Sequence, residues 1–103
     1  MASRKEVLDY LLTKLSALEG LQTRKMFGEY AIYYNGKLVA TLADDQLFVK
    51  LSKAGTGYWG EHLLAAPYPG AKEQMLIPEE DWEDALRLCQ LIRISEPEIK
   101  KRK

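Results

Sequence analysis

The sequence predicts an α+β domain: an antiparallel β-meander sheet of three to four or more strands, flanked by an N-terminal and a C-terminal helix. Three observations predict it. Leucines recur at helical spacing near the start. Two short turn signals, Asn35-Gly36 and Asp44-Asp45, divide a centre rich in strand formers. Pro78 then opens a second stretch of helical periodicity.

The first helix is expected over about residues 3–19. Ser3 and Glu6 have capping-box spacing, so each can satisfy one free backbone amide of the first turn. Val7, Leu8, Leu11, Leu12, Leu15 and Leu18 form one apolar stripe, and Gly20 suits the left-handed stop. Tyr30–Tyr34, Lys37–Ala43 and Gln46–Leu51 read as three strands. With two-residue turns, Tyr33 faces Leu38, Ala31 faces Ala40, Leu42 faces Leu47, Ala40 faces Val49 and Leu38 faces Leu51. These residues would share the apolar face that meets the first helix. Tyr30, Ile32, Tyr34, Val39, Thr41, Phe48 and Lys50 would share the other.

Residues 52–72 are rich in Gly and Pro and read as loop, with short helical turns around Trp59–Ala66. Glu73–Ile77 reads as a fourth short strand. From Pro78 the second helix runs with acidic residues at its start and Arg87 and Arg93 toward its end, as the helix dipole favours. Its buried stripe is read as Trp82, Ala85, Leu86, Leu88, Cys89 and Ile92. Pro97 ends the ordered region. The expected division is a single domain over 1–96 and a basic, disordered tail over 97–103.

Composition narrows the class. The chain has 103 residues, 47% hydrophobic and 29% charged, which fits one globular domain and excludes wholesale disorder. No apolar run is long enough to span a bilayer and no secretory leader is recognisable. One cysteine excludes an internal disulfide, and the expected location is the cytoplasm. The charges balance at 15 basic and 15 acidic. Lys100, Lys101, Arg102 and Lys103 hold four of the cations, which leaves an acidic body unlike a dedicated nucleic-acid module.

The candidate chemistry is sparse. His62, the lone histidine, reads as a surface residue, because a catalytic base also needs a positioned partner. Cys89 reads as a buried thiol on the helix stripe. Asp44-Asp45 reads as a turn rather than a cation site, and Glu79–Asp84 as a solvated first helical turn. No phosphate loop, dinucleotide fingerprint, CxxC pair or nucleophile elbow is present. The expectation is therefore a non-enzyme with no cofactor and no metal. Tyr30, Tyr34 and Phe48, flanked by Lys37 and Lys50, could stack bases if their face were open. The competing reading covers that face with the second helix and Trp82.

Arg24-Lys25-Met26-Phe27-Gly28-Glu29-Tyr30 resembles the opening signature of the TfoX/Sxy N-terminal domain family. The likeness continues through Asn35-Gly36-Lys37 and Ala43–Lys50, and resumes at Pro67-Tyr68-Pro69-Gly70-Ala71-Lys72. It covers about residues 22–95. The resemblance implies a bacterial cytoplasmic protein with a twisted antiparallel sheet flanked by helices. It implies a regulator of the competence type, acting as a coactivator beside the cyclic-AMP receptor protein rather than as a sequence reader. The chain reads as the N-terminal domain alone, without the C-terminal domain that the named members carry. The family brings no catalytic or metal-binding residues.

The leading expectation is a regulatory protein-interaction domain that meets the transcription machinery through a sheet edge or through Arg24, Lys25, Phe27 and Tyr30. Gly28 would mark a bulge or close approach there. The second is nucleic-acid binding through Lys100, Lys101, Arg102, Lys103 and the aromatic face. The third is a small-ligand binder or enzyme with the 52–72 loop as a lid. A homodimer stays open.

Overall fold

The computed structural model describes residues 4–26 and 28–100. The elements run α1 (Lys5–Lys14), β1 (Gln22–Met26), β2 (Glu29–Tyr34), β3 (Lys37–Ala43), β4 (Gln46–Val49), α2 (Lys53–Trp59), β5 (Leu63–Ala65), β6 (Gln74–Ile77) and α3 (Ala85–Ser95). Short 3-10 turns at Glu79–Glu83 and Glu96–Glu98 bracket α3. The strands form one antiparallel sheet in the order β1-β2-β3-β4-β6-β5. The predicted α+β class holds, with β1 and β5 added at the two edges of the expected sheet.

Helix α1 buries Leu8 and Leu11, and the leucine stripe continues past its end through Leu15 and Leu18, all at 5% exposure or less. Each such side chain contributes about 1.5–3 kcal/mol on burial. The helix is shorter than its stripe. It stops at Lys14, and a turn closed by Leu18 N–H on the Leu15 carbonyl carries the chain to Gly20, at φ +78°. The predicted capping box falls on Ser3 and so lies partly outside the described residues. Arg4 is the N-cap, without a side-chain cap of its own. Instead Arg4 is tied to the β3–β4 turn: its backbone N–H and its Nε donate to Asp45 at 2.8 and 2.9 Å.

Both central turns have the residues and backbone of two-residue hairpins. Asn35 and Gly36 sit at φ +53° and +77°, and Asp44 and Asp45 at +51° and +60°. Register follows the expectation at Tyr33↔Leu38 and, across β3–β4, at Leu42↔Leu47 and Ala40↔Val49, but not throughout β2–β3. A bulge shifts the pairing between Ile32 and Tyr33, so that Ile32 meets Ala40, Ala31 meets Thr41 and Tyr30 meets Leu42. Tyr30, Ile32 and Val39 consequently join Ala40, Leu42, Leu47 and Val49 in the core under the helices. Ala31, Tyr33 and Leu38 turn to the opposite face with Thr41. Leu51, expected opposite Leu38, lies beyond the end of β4 and is 42% exposed.

Residues 53–59, read as loop, form α2. Gly55 and Gly57 give this segment poor helix propensity, so tertiary contacts hold it. The Ser52 side chain caps it by accepting the Gly55 N–H at 2.8 Å, and the Glu98 carboxylate accepts the N–H groups of Lys53 and Ala54 at 2.8 and 2.9 Å. Trp59 anchors its other end in the core, with the Arg87 guanidinium 3.7 Å above its ring centroid. The expected helical turns after Trp59 give way to β5.

The second helix is also split. Glu79–Glu83 wind as a 3-10 turn that buries Trp82, whose Nε1 donates to the Ile77 carbonyl at 3.1 Å. Asp84 then starts α3 by accepting the Arg87 N–H. The break resets the helical phase. Leu88, Cys89, Leu91 and Ile92 are buried, whereas Leu86, read as buried, is 78% exposed. Packing continues past Pro97, because Ile99 is buried in the same core.

Candidate functional site

All three helices contribute to one core on one face of the sheet. The other face, over β1–β3, carries a cleft of about 910 Å³. The register explains its shape. Arg24, Ala31 and Thr41 lie side by side across β1, β2 and β3. The two small residues make a hollow floor between larger neighbours. Gln22, Tyr33 and Leu38 close one end, Met26 and Glu29 the other, and Tyr68 reaches in from the loop after β5. That loop is pinned by buried Pro67 and closed by the Ala71 N–H on the Tyr68 carbonyl at 3.1 Å.

The described residues of the expected partner surface do not share one face. Arg24 faces the cleft. Lys25 is the register partner of Tyr30, so it belongs to the opposite face of β1. Tyr30 is 9% exposed and part of the core, so its ring is not a contact surface. Phe27 lies outside the described residues, as do Lys101, Arg102 and Lys103; Lys100 is exposed. Gly28, at φ +81°, lies in the turn joining β1 to β2 rather than in a strand. The aromatic stacking face is likewise dispersed. Tyr34 packs against the helix-side core with Tyr30, while Phe48 pairs with Thr41 and is 3% exposed.

Among the cleft residues missed in the sequence are Glu29, Tyr33, Thr41 and Tyr68. Alternation along β2 marks Glu29, Ala31 and Tyr33 as one face, but nothing local marks that face as open. Tyr68 was visible only as the aromatic between Pro67 and Pro69.

The perturbed titrating groups serve structure elsewhere. Lys37 and Asn35, at 2.5 and 2.8 Å, hold the Glu96 carboxyl below its ordinary value and fasten the β2–β3 turn to the end of α3. Hydrogen bonds from Tyr10 and Lys14 lower Glu83, and the same contact raises the Tyr10 phenol and Lys14. The amides of Ala54 and Lys53 lower Glu98, and the Arg4 amide lowers Asp45. Burial raises the Cys89 thiol, whose Sγ donates to the Lys14 carbonyl. Exposed His62 bonds through Nδ1 to the Gly60 carbonyl. Among the described residues no three His, Cys, Asp or Glu side chains converge as metal ligands. No helix among them is long and apolar enough to cross a membrane.

The chain is 35% identical over 71 residues to a Spirochaeta aurantia protein described as an uncharacterised 12.7 kDa protein in the trpE 5′ region. The alignment covers 69% of this chain and 61% of that relative, so the chain matches about three-fifths of the relative's length. A sequence profile of the TfoX N-terminal domain matches residues 13–98, from the last two residues of α1 to the 3-10 turn after α3. With the whole sheet, α2 and α3 inside that span, the chain belongs to the TfoX N-terminal domain family.

Proposed function

We propose that this chain is a non-enzymatic regulatory domain that binds a protein of the transcription machinery by strand addition at β1. Family membership supports a competence-related regulatory role. The observation that carries the docking reading is the edge itself. Strand β1 ends the sheet, and Gln22, Thr23, Arg24 and Lys25 are all exposed. Met26 and Glu29 flank the turn into β2, and the pair beside a two-residue turn exchanges both hydrogen bonds. Alternation then leaves the N–H and C=O of Thr23 and Lys25 on the outer edge, ready to pair with an extended segment. Arg24 and Lys25 give that edge positive charge, so an acidic segment fits it.

The test is titration calorimetry of the full chain against purified cyclic-AMP receptor protein, the partner the family suggests. Lys25→Pro removes an outward donor where an edge strand tolerates proline, and binding should be lost with the fold intact. Replacing Arg24 and Lys25 together by Ala should weaken binding and flatten its salt dependence. Unchanged affinity in both variants would remove β1 as the docking edge.

A further inference from the structure

We infer that the cleft over β1–β3 is a binding site for a small zwitterion, an α-ammonium and a carboxylate on a molecule bearing an aromatic side chain. The charge pattern comes first. Arg24 and Glu29 are the charged side chains among the described residues lining the cleft. They are diagonal neighbours, since Arg24 faces Ala31 and Glu29 faces Met26 on adjacent strands. Diagonal neighbours on one face lie roughly 7–8 Å apart, with their Cβ atoms somewhat closer. No ion pair joins them among the described residues. One cation and one anion at this spacing complement a ligand of zero net charge whose ends carry opposite signs. A dianionic phosphate compound would meet one arginine and be repelled by the carboxylate.

The rest of the cleft supplies the side-chain pocket. Ala31 and Thr41 leave the floor low, and strands about 4.8 Å apart make the hollow wide enough for a ring. Tyr33 and Tyr68 offer aromatic surfaces for stacking and Leu38 an apolar wall. The volume, about 910 Å³, lies within the range of small-ligand clefts of roughly 300–1,000 Å³. It exceeds one amino acid, so the same chemistry could come from a free amino acid or from a short peptide. The site shares Arg24 with the β1 edge, but Lys25, whose replacement by Pro tests that edge alone, does not line the cleft, so the two readings fail separately.

Two-dimensional NMR of the full chain, titrated with L-phenylalanine and separately with glycyl-L-phenylalanine, tests the inference. Either probe should shift the amides of Ala31, Tyr33 and Thr41 in a saturable way, and whichever binds tighter identifies the source. Arg24→Gln and Glu29→Gln are surface changes that leave the fold intact, and each should weaken binding about tenfold or more. N-acetyl-L-phenylalanine amide, which lacks both charges, should fail to bind. Equal binding of that neutral compound, indifference to both substitutions, or no shift by either probe at about 10 mM would overturn the assignment.

Discussion

Gly55 sits on the buried side of α2, where that helix meets α3. A Cβ there would lie 2.4 Å from Ser95 Oγ, 2.6 Å from Ser52 Oγ and 3.1 Å from Leu91 Cδ1. The two hydroxyls are themselves bonded at 2.9 Å, and Ser52 Oγ also caps the helix. Gly55→Ala gains about 1 kcal/mol of helix propensity. Against this stand about 1–3 kcal/mol of overpacking and about 1 kcal/mol for the displaced hydroxyl bond. The net expectation is a loss of about 1–3 kcal/mol, which lowers Tm by roughly 5–20 °C for a domain of this size. Gly57, two residues on, has nothing within 4 Å of its would-be Cβ. Gly57→Ala should therefore raise stability by up to about 1 kcal/mol. Thermal and urea unfolding followed by circular dichroism read both. Removing the Ser95 hydroxyl as well (Gly55→Ala with Ser95→Ala) should restore part of the loss. If Gly55→Ala and Gly57→Ala change stability alike, α2 is not seated on α3 through Gly55.

Three further outcomes follow from the packing. Leu86→Lys should change stability by less than about 0.5 kcal/mol, whereas Leu91→Ala should cost about 2–5 kcal/mol, and the contrast in urea midpoints checks the phase of α3. Cys89 should react with a thiol reagent roughly 100-fold or more slowly in the native protein than in denaturant, since burial both hides the thiol and raises its pKa. Glu96 is held below its ordinary value of 4.5 in the fold, so its stabilising contribution is present above that value and is lost as pH falls through the lower folded value. Glu96→Gln should accordingly unfold more easily than the parent at neutral pH, and the gap should close in urea titrations below about pH 4.5.

Where structure depended on neighbours in the chain, the sequence was legible. The two hairpin turns, the leucine stripe and the strand after residue 73 all rest on local chemistry: positive φ at Asn35-Gly36 and Asp44-Asp45, spacing along one helix, and strand formers after a Gly/Pro-rich loop. Helix α2 was not legible, because its support is distant. Glu98 and Ser95 stabilise it from the far end of the chain, while its own residues favour coil. Strand β1 carries polar and charged residues on both faces, so it lacks the alternation that marks a half-buried strand. Leu86 shows a different limit. The periodicity of the second helical segment was real, but the break at Asp84 changed its phase, and an unbroken helix would have buried Leu86.

The bulge in β2–β3 links this limit to the candidate site. Leu38, Val39 and Ala40 are consecutive, apolar and buried, so alternation cannot say which of them faces the helices. A regular hairpin puts Tyr33, Ala31, Leu38, Ala40 and Leu42 on one face and calls that face the core. The bulge lets Val39 and Ala40 both enter the core and separates Leu38 from them. The face that holds Ala31, Tyr33 and Leu38 is thereby released from the helices and pairs with Thr41 instead, leaving small residues over an open surface. Residues that look like core in the sequence become the floor and wall of the cleft. The signature around Arg24 and Glu29 then has a physical reading that its letters alone do not supply: β1 and the start of β2 bring those charges beside a hollow that one irregular pair farther along β2 has turned outward.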